Sequence, residues 1–233
     1  MLLAEIETFL SRPIAPTRRV ALGASELPTD PAPGFGGILL GGVAARFGPD
    51  LPEDFHDEVL HLMDELEHGR RIAQPRLRHR LQQDRVGLQR CVHRLVGSGE
   101  ELRFEFDHEK GTAAQHVLCA AYAAGGVTPG VRGTVMDAVR KGFRWRGDVD
   151  GRLIGHLSGH GGAASLGAVA DPVGWALGLL DLRSGTTSVP SRREIQRAFR
   201  EQLRAAHPDH GAADAGAADR IAELSEARRI LLG

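Results

Sequence analysis

Two amphipathic stretches near the C-terminus limit the possible folds of this chain more than any other feature. In the first, apolar residues recur at steps of four from Ile195 through Phe199 to Leu203, which is the spacing of one face of an α-helix. Pro208 ends this helix, because proline disfavours the α conformation in the residue before it. The second stretch, 217–232, also has one apolar side: Ile221, Leu224, Ala227, Ile230 and Leu231. We therefore predict two helices that pack together as an antiparallel hairpin.

The first of these helices has a marked start and a basic side. Ser191 and Glu194 form an S-x-x-E capping box, in which each side chain accepts a hydrogen bond from the backbone N–H of the other residue. Five arginines lie opposite the apolar stripe: Arg192, Arg193, Arg197, Arg200 and Arg204. A face of this kind favours an acidic partner, with electrostatic steering and a salt-sensitive association rate. For any single arginine, a solvated surface position is the alternative.

A short tripeptide follows the basic helix. It consists of His207, Pro208 and Asp209, and it comes soon after the sequence Arg-Ala-Phe-Arg at 197–200. The second helix carries a Glu-Ala pair late in its length, at 226–227. Together these features resemble the J domain of the DnaJ family. The resemblance is closest to the short subtype typified by the mitochondrial import-motor J proteins.

The resemblance implies an allosteric function without chemistry of its own. J domains dock on an ATP-bound DnaK-type chaperone and speed its ATP hydrolysis, so that the chaperone holds its client. By resemblance, the chaperone-binding residues are His207, Pro208, Asp209, Arg193, Arg197, Arg200 and Arg204, and the core residues are Ile195, Phe199, Leu203, Ile221, Leu224 and Leu231. Pro208 fixes the backbone, and Asp209 can then pair with an arginine of the partner at little ordering cost. A local Asx turn is the alternative for Asp209.

A further helix is predicted ahead of the hairpin. Asp171 and Pro172 form an N-cap and N1 pair, and apolar residues follow. The sequence Leu-Gly-Leu at 177–179 resembles the end of the family's first helix. The family's usual tyrosine is missing, however, and the stretch up to Ser191 is longer than is typical. Either the loop is extended, or the register uses Leu-Asp-Leu at 180–182 instead.

The rest of the chain is predicted to be mostly helical, so the predicted fold class is all-α with at most one short strand region. Apolar residues follow the helical period over 55–66 and again over 77–95. The exception is the alternation of Leu102, Phe104 and Phe106 with charged residues, which predicts one short strand. Prolines interrupt any long helix before residue 34.

Changes in composition along the chain predict its domain organisation. Four regions are expected: an irregular Pro-rich segment at 1–33, a helical domain of unknown type at 34–158, a Gly/Ala linker at 159–170 and a J domain at 171–233.

The overall composition excludes several classes of function. The net charge is −1 and the isoelectric point is near 6.8, so no global charge favours nucleic acid or an anionic membrane. The most apolar stretch, 34–47, is too short to span a bilayer, and Gly37 and Gly41 drive helix pairing by G-x-x-x-G spacing only inside a membrane span. Cys91 and Cys119 form no C-x-x-C motif. We expect a cytoplasmic protein without a membrane role.

Two charged regions were considered as sites. Asp57, His61, Glu65 and His68 share one helix face, which we interpret as a solvated acidic surface and not as a metal site. A possible nucleic-acid or acidic-partner face consists of Arg76, Arg80, Arg90 and Arg94. Acidic residues over 50–67 are expected to neutralise this face across a helical hairpin, and the arginine-rich stretch lacks aromatic residues for base stacking. Nucleic acid is therefore not the expected partner.

The leading hypothesis is a J-domain co-chaperone, not an enzyme, with no cofactor and no metal. Its partners are a DnaK-type chaperone and an unknown client chosen by the N-terminal domain. The alternative is a scaffold or nucleic-acid accessory protein whose J-like hairpin no longer engages a chaperone.

Overall fold

Five strands form one mixed β-sheet in the N-terminal part of the chain. The computed structural model describes residues 1–14, 18–70, 72, 78–99, 101–159, 166–182, 190–206 and 217–232. The strands are β1 (Leu2–Leu10), β2 (Arg18–Glu26), β3 (His79–Leu81), β4 (Gln89–Ser98) and β5 (Glu101–Phe106). Their order in the sheet is β3-β2-β1-β4-β5. Only the β2–β3 pair is parallel; β1 runs antiparallel to both β2 and β4, and β4 runs antiparallel to β5.

Helices make up most of the remaining described residues. They are α1 (Gly34–Phe47), α2 (His56–Glu67), α3 (Ala113–Gly125), α4 (Pro129–Arg144), α5 (Gly151–Ser158), α6 (Leu166–Ala170), α7 (Pro172–Leu179), α8 (Arg192–Ala206) and α9 (Ala217–Leu232). Two single turns of 3₁₀-helix, Gly48–Asp50 and Glu53–Phe55, connect α1 to α2. No helix in the described part of the chain is both long enough and apolar enough to cross a membrane.

The predicted all-α fold class is wrong, and the first 33 residues show why. The prolines of this segment exclude a long helix, which is why the sequence predicts irregular structure. They do not exclude strands that begin and end between them. All five prolines of this segment lie outside the bounds of β1 and β2. In β1, alternate residues from Ala4 to Leu10 are buried, which is the period-2 pattern of a strand with one face on the core. The N-terminal domain is therefore an α/β domain.

The second error concerns the stretch predicted as a helix over 77–95. Leu88, Val92 and Leu95 are spaced as on a helix, but β4 instead buries alternate residues, including His93 and Leu95. Over the ten residues of β4, the apolar positions fit both a helix and a strand. The segment is a strand because it pairs with β1 on one side and with β5 on the other. The short strand predicted around Leu102–Phe106 is confirmed as β5.

The helix α1 lies at the centre of the domain. Twelve of its fourteen residues are buried, because it packs against α3, α4 and α5 as well as against β1, β4 and β5. Its glycines allow close contact with other helices: the backbones of Gly41 and Gly142 meet where α1 crosses α4. The G-x-x-x-G spacing of α1 thus serves helix packing in this domain, although it was expected to drive pairing only within a membrane.

A second, smaller core joins the last three helices. α9 packs against both α7 and α8. The buried residues of this core are Ala176, Leu180, Ile195, Ala198, Leu224 and Ala227. The helices α8 and α9 agree with the predicted 191–206 and 217–232 to within one residue. The short helix α6 lies inside the predicted 159–170 linker and contacts α7.

Candidate functional site

The helix α8 begins at the predicted capping box. The backbone N–H of Ser191 donates to Glu194 Oε2 at 2.7 Å, and the N–H of Glu194 donates to Ser191 Oγ at 3.4 Å. The Ser191 hydroxyl and backbone N–H both bond this carboxylate, and they lower the pKa of Glu194. The start of the helix is thus fixed by contacts between residues three apart in the sequence.

The two sides of α8 have opposite environments. Ile195 and Ala198 are buried in the C-terminal core. All five arginines of the opposite side are exposed, and we call them the basic face: Arg192, Arg193, Arg197, Arg200 and Arg204. Arg197 Nε donates to Glu201 Oε1 at 3.0 Å, an exposed i,i+4 pair that contributes little to stability. The basic face therefore presents exposed positive charge opposite the buried side of the helix.

The predicted core residues of the C-terminal unit are buried to different degrees. Ile195 and Leu224 are buried, while Phe199 and Leu231 are partly buried and pack against the same core. The Arg228 guanidinium lies over the Phe199 ring, 5.0 Å from its centroid. The two remaining core predictions, Leu203 and Ile221, are half-buried.

The His207-Pro208-Asp209 tripeptide lies outside the described residues. The last described residue of α8 is Ala206, and the chain is described again from Ala217, where α9 begins. In the sequence, the tripeptide directly follows Ala206.

The predicted start of α7 is confirmed. Asp171 Oδ1 accepts a hydrogen bond from the Gly174 N–H at 2.8 Å, and Pro172 occupies the first helical position. After the helix ends, Leu180 is buried, and Leu182 packs against the same core. Residues 180–182 therefore supply apolar contacts to the C-terminal unit.

An ion pair in α9 went unnoticed in the sequence. Glu226 is buried, and its two carboxylate oxygens accept from Arg229, Oε2 from Nε at 2.9 Å and Oε1 from Nη2 at 2.6 Å. These bonds raise the pKa of Arg229. Arg229 Nη2 also lies 3.4 Å from the carbonyl oxygen of Gly159, so the same side chain reaches the end of α5. The sequence signal for this ion pair is the three-residue spacing of Glu226 and Arg229 on one helix.

The four arginines of the possible nucleic-acid face do not form one helical surface. Arg76 lies outside the described residues, and Arg80 is exposed on β3. Arg90 and Arg94 lie on β4, on the sheet face opposite the helices, and both form ion pairs with glutamates of β1.

The expected neutralisation by residues 50–67 is wrong for Arg90 and Arg94. Glu7 pairs with Arg90, and Glu5 Oε2 accepts from Arg94 Nε at 2.6 Å. The bond from Arg90 is the main cause that lowers the pKa of Glu7. The error follows from the misassigned strands, because cross-strand pairing brings β1 beside β4.

The acidic helix α2 forms no metal cluster among the described residues. Asp57, His61 and His68 are exposed, and His61 Nε2 lies 3.7 Å from Glu65 Oε1. Two other acids of α2, Asp64 and Glu67, bind Arg140 of α4. α2 thus uses part of its charge to hold α4.

A buried cluster that the sequence analysis did not predict joins β4 to α3. Cys91 and His93 come from β4 and His116 comes from α3. His93 Nε2 lies 3.1 Å from His116 Nδ1 and 3.7 Å from Cys91 Sγ. The Cys91 thiol donates to the carbonyl oxygen of Asp107 at 3.3 Å. The cluster therefore places one sulfur and two imidazole nitrogens around a common point.

Burial keeps all three side chains of this cluster neutral. It lowers the pKa of His93 to about 3 and that of His116 to about 4. Burial, with the negative charge of Asp107, raises the pKa of the Cys91 thiol to about 12. Such a thiol is a poor nucleophile, because the thiolate is the reactive form. Sulfur and neutral imidazole are instead typical ligands of a transition metal.

The signal for this cluster was a Cys-x-His sequence at 91–93. On a helix, which the sequence predicts for 77–95, residues two apart point in different directions. On a strand, residues two apart lie on the same face of the sheet. His116 follows 23 residues later and could be joined to the pair only by the tertiary structure.

Comparison of the chain with protein-family models, with curated proteins and with solved structures finds no match. The function has to be inferred from the chain's own residues and their geometry.

Proposed function

We propose that this chain is a J-domain co-chaperone. Its C-terminal unit binds a DnaK-type chaperone in the ATP state and speeds ATP hydrolysis, while the N-terminal α/β domain directs the chaperone to a client. One observation carries the proposal: α8 exposes five arginines on one side, buries Ile195 and Ala198 on the other, and ends at the residue before His207.

The charge of the basic face supports this role. Among the described residues, Arg193 and Arg204 form no ion pair, and the pair of Arg197 with Glu201 is exposed. Exposed pairs are weak and exchange readily for other partners. An acidic groove on the chaperone would therefore find these arginines available and would be approached faster at low salt.

The tripeptide supports the role by resemblance. In J domains a His-Pro-Asp sequence after the basic helix is the part that triggers ATP hydrolysis, and here it stands at 207–209. A change of Asp209 should therefore remove the stimulation of ATP hydrolysis, while the basic face still binds the chaperone.

The alternative, a nucleic-acid accessory protein, has less support. Arg90 and Arg94 pair with Glu7 and Glu5 on the open face of the sheet, so much of that positive charge is balanced within the domain. A nucleic-acid phosphate would have to break these ion pairs before it could form ion pairs with the same arginines.

A cytoplasmic location is part of the proposal. The DnaK-type partner implied by the resemblance acts on ATP, and both cysteines of the chain are free and buried. Unpaired thiols are typical of a reducing compartment.

A steady-state ATPase assay with the cognate DnaK-type chaperone tests the proposal. The wild-type chain should stimulate hydrolysis, and Asp209→Asn should abolish the stimulation. The double charge reversal Arg197→Glu/Arg200→Glu should weaken it and reduce its dependence on salt. Arg152→Glu, a charge reversal at an exposed arginine of α5, is the control and should behave as wild type.

Two results would count against a co-chaperone. One is the absence of any stimulation by a wild-type chain whose far-UV circular dichroism shows it to be folded. The other is equal stimulation by the wild type and by Asp209→Asn. Binding of DNA or RNA in a shift assay that is lost in Arg80→Glu/Arg90→Glu would favour the alternative.

A further inference from the structure

The buried cluster of Cys91, His93 and His116 has no part in the proposed co-chaperone function. It lies in the core between the sheet and the helices, and each of its side chains is at most 2% exposed. Groups of this polarity are costly to bury unless they are fully bonded. The cluster therefore calls for an explanation of its own.

Hydrogen bonds orient the His116 ring and, within the described residues, leave one nitrogen of His93, on the ring side away from the cluster, unpaired. His116 Nε2 donates to the carbonyl oxygen of Lys110 at 2.8 Å, which leaves Nδ1 as the acceptor for His93 Nε2. The other nitrogen of His93, Nδ1, is buried and has no hydrogen-bond partner among the described residues. An apolar pair of similar volume would fill the same space without this cost.

The spacing of the three ligand atoms fits a metal ion. In a tetrahedral zinc site, Zn–N distances of about 2.0 Å and a Zn–S distance of about 2.3 Å place two nitrogens roughly 3.3 Å apart and sulfur roughly 3.5 Å from nitrogen. Here His93 Nε2 lies 3.1 Å from His116 Nδ1 and 3.7 Å from Cys91 Sγ. All three ligand atoms lie within 4.8 Å of one another. Two of the three spacings thus match such a site before any ion is bound, and the third, between Cys91 Sγ and His116 Nδ1, is at most 4.8 Å.

The surroundings also suit a metal ion. The bond of His116 Nε2 to the Lys110 carbonyl orients the ring so that Nδ1 faces the cluster, as outer partners of metal-bound histidines do. The Phe47 ring stacks on His116 with 4.0 Å between centroids and holds its plane. The backbone carbonyl oxygen of Asp107 lies 3.3 Å from Cys91 Sγ, and the Asp107 carboxylate forms an ion pair with Lys110.

We propose that Cys91, His93 and His116 bind one Zn²⁺ ion, which joins β4 to α3. Zinc displaces the proton of the Cys91 thiol, which is released to solvent, and one thiolate and two neutral imidazoles then hold the ion. The fourth position is left to a small ligand such as water. The site does not depend on the proposed co-chaperone function, since it lies outside the C-terminal unit.

Metal analysis of the full chain tests this site. The protein is stripped with a chelator, given ZnCl₂, desalted and analysed by mass spectrometry for zinc. We expect one zinc per chain in the wild type. At a free zinc concentration about a hundred times Kd, Tm should rise by about 5–10 °C. Co²⁺ in place of zinc should give the visible bands of a tetrahedral site and a thiolate-to-cobalt charge-transfer band.

Matched variants distinguish this site from adventitious binding. Cys91→Ala should lose the charge-transfer band and most of the bound zinc, and His116→Gln should lose zinc as well. Cys119→Ala is the control, because Cys119 is the chain's other buried free cysteine and is not part of the cluster. It should keep one zinc per chain and the cobalt spectrum.

Three results would overturn the proposal. The first is a folded wild-type chain that retains no zinc after desalting and shows no change in Tm. The second is equal zinc content in the wild type, in Cys91→Ala and in His116→Gln. The third is a cobalt spectrum that loses its charge-transfer band in Cys119→Ala but not in Cys91→Ala. The wild-type measurements decide the question even where a variant fails to fold.

Discussion

Gly142 lies where α4 crosses α1, and its replacement by alanine tests how tightly these two helices are held. A methyl group built on Gly142 would lie 2.7 Å from the carbonyl carbon of Gly41 and 2.9 Å from its Cα, and closer still to the carbonyl oxygen. Ordinary contacts of this kind are 3.4 Å or longer. Because the obstacle is backbone and not a movable side chain, Gly142→Ala must push the helices apart by about 1 Å.

The expected cost follows from two opposing effects. Overpacking of a well-packed core typically costs about 1–3 kcal/mol, and a backbone clash belongs at the upper end of this range. Alanine in place of glycine in a helix returns about 1 kcal/mol. The net effect is a loss of about 2 kcal/mol in the free energy of unfolding, or a fall in Tm of roughly 4–8 °C for a domain of this size.

Urea unfolding followed by far-UV circular dichroism measures this difference, with Gly130→Ala as the matched control. Gly130 lies in the same helix, and a methyl group there meets no atom within 4 Å. The control should therefore unfold at the same urea concentration as the wild type or slightly higher. If Gly142→Ala proves as stable as Gly130→Ala, the close crossing of α1 and α4 is refuted.

Three further predictions concern the C-terminal unit and the cysteines. Ser191→Ala should raise the pKa of Glu194 in an NMR titration, because it removes the hydroxyl that donates to this carboxylate; an unchanged titration would contradict the capping box. Since the folded-state pKa is lowered, the bond stabilises α8 above the unfolded value of 4.5, and this contribution is lost as pH falls through the folded pKa. Leu224→Ala should cost about 2–5 kcal/mol and increase hydrogen exchange in α7–α9 while the sheet stays protected; equal exchange in both regions would argue against a separate C-terminal core. The native Cys91 thiol should react with a thiol reagent at pH 8 far more slowly than after unfolding in urea, since a pKa of about 12 leaves roughly one thiolate in 10⁴; fast native labelling would show that the thiol is not buried.

The C-terminal helices were predictable because their signals are local. The capping box of Ser191 and Glu194 acts over three residues, and the apolar stripe of α8 repeats within each turn. The end of α8 near Pro208 depends only on the backbone of neighbouring residues. None of these features requires knowledge of what the helices pack against.

The sheet was missed because its signals are not local. β1 pairs with β4 across some eighty residues of sequence, with Glu5 opposite Arg94, and nothing in either segment alone identifies the other. Over a stretch as short as β4, apolar residues fit a helix and a strand equally well. β5 was identified from its own sequence, in which Leu102, Phe104 and Phe106 alternate with charged residues.

Local signals in the sequence specify the parts of the candidate chaperone-binding unit: the capped basic helix, the tripeptide at 207–209 and the second helix from Ala217. Long-range contacts build the N-terminal domain on a sheet, pair Glu5 and Glu7 with arginines of β4, and bring His116 to Cys91 and His93. The physical reason is the range of the interactions. Helix periodicity and capping act within a few residues, whereas strand pairing and a shared ligand site bring together residues that the sequence keeps far apart.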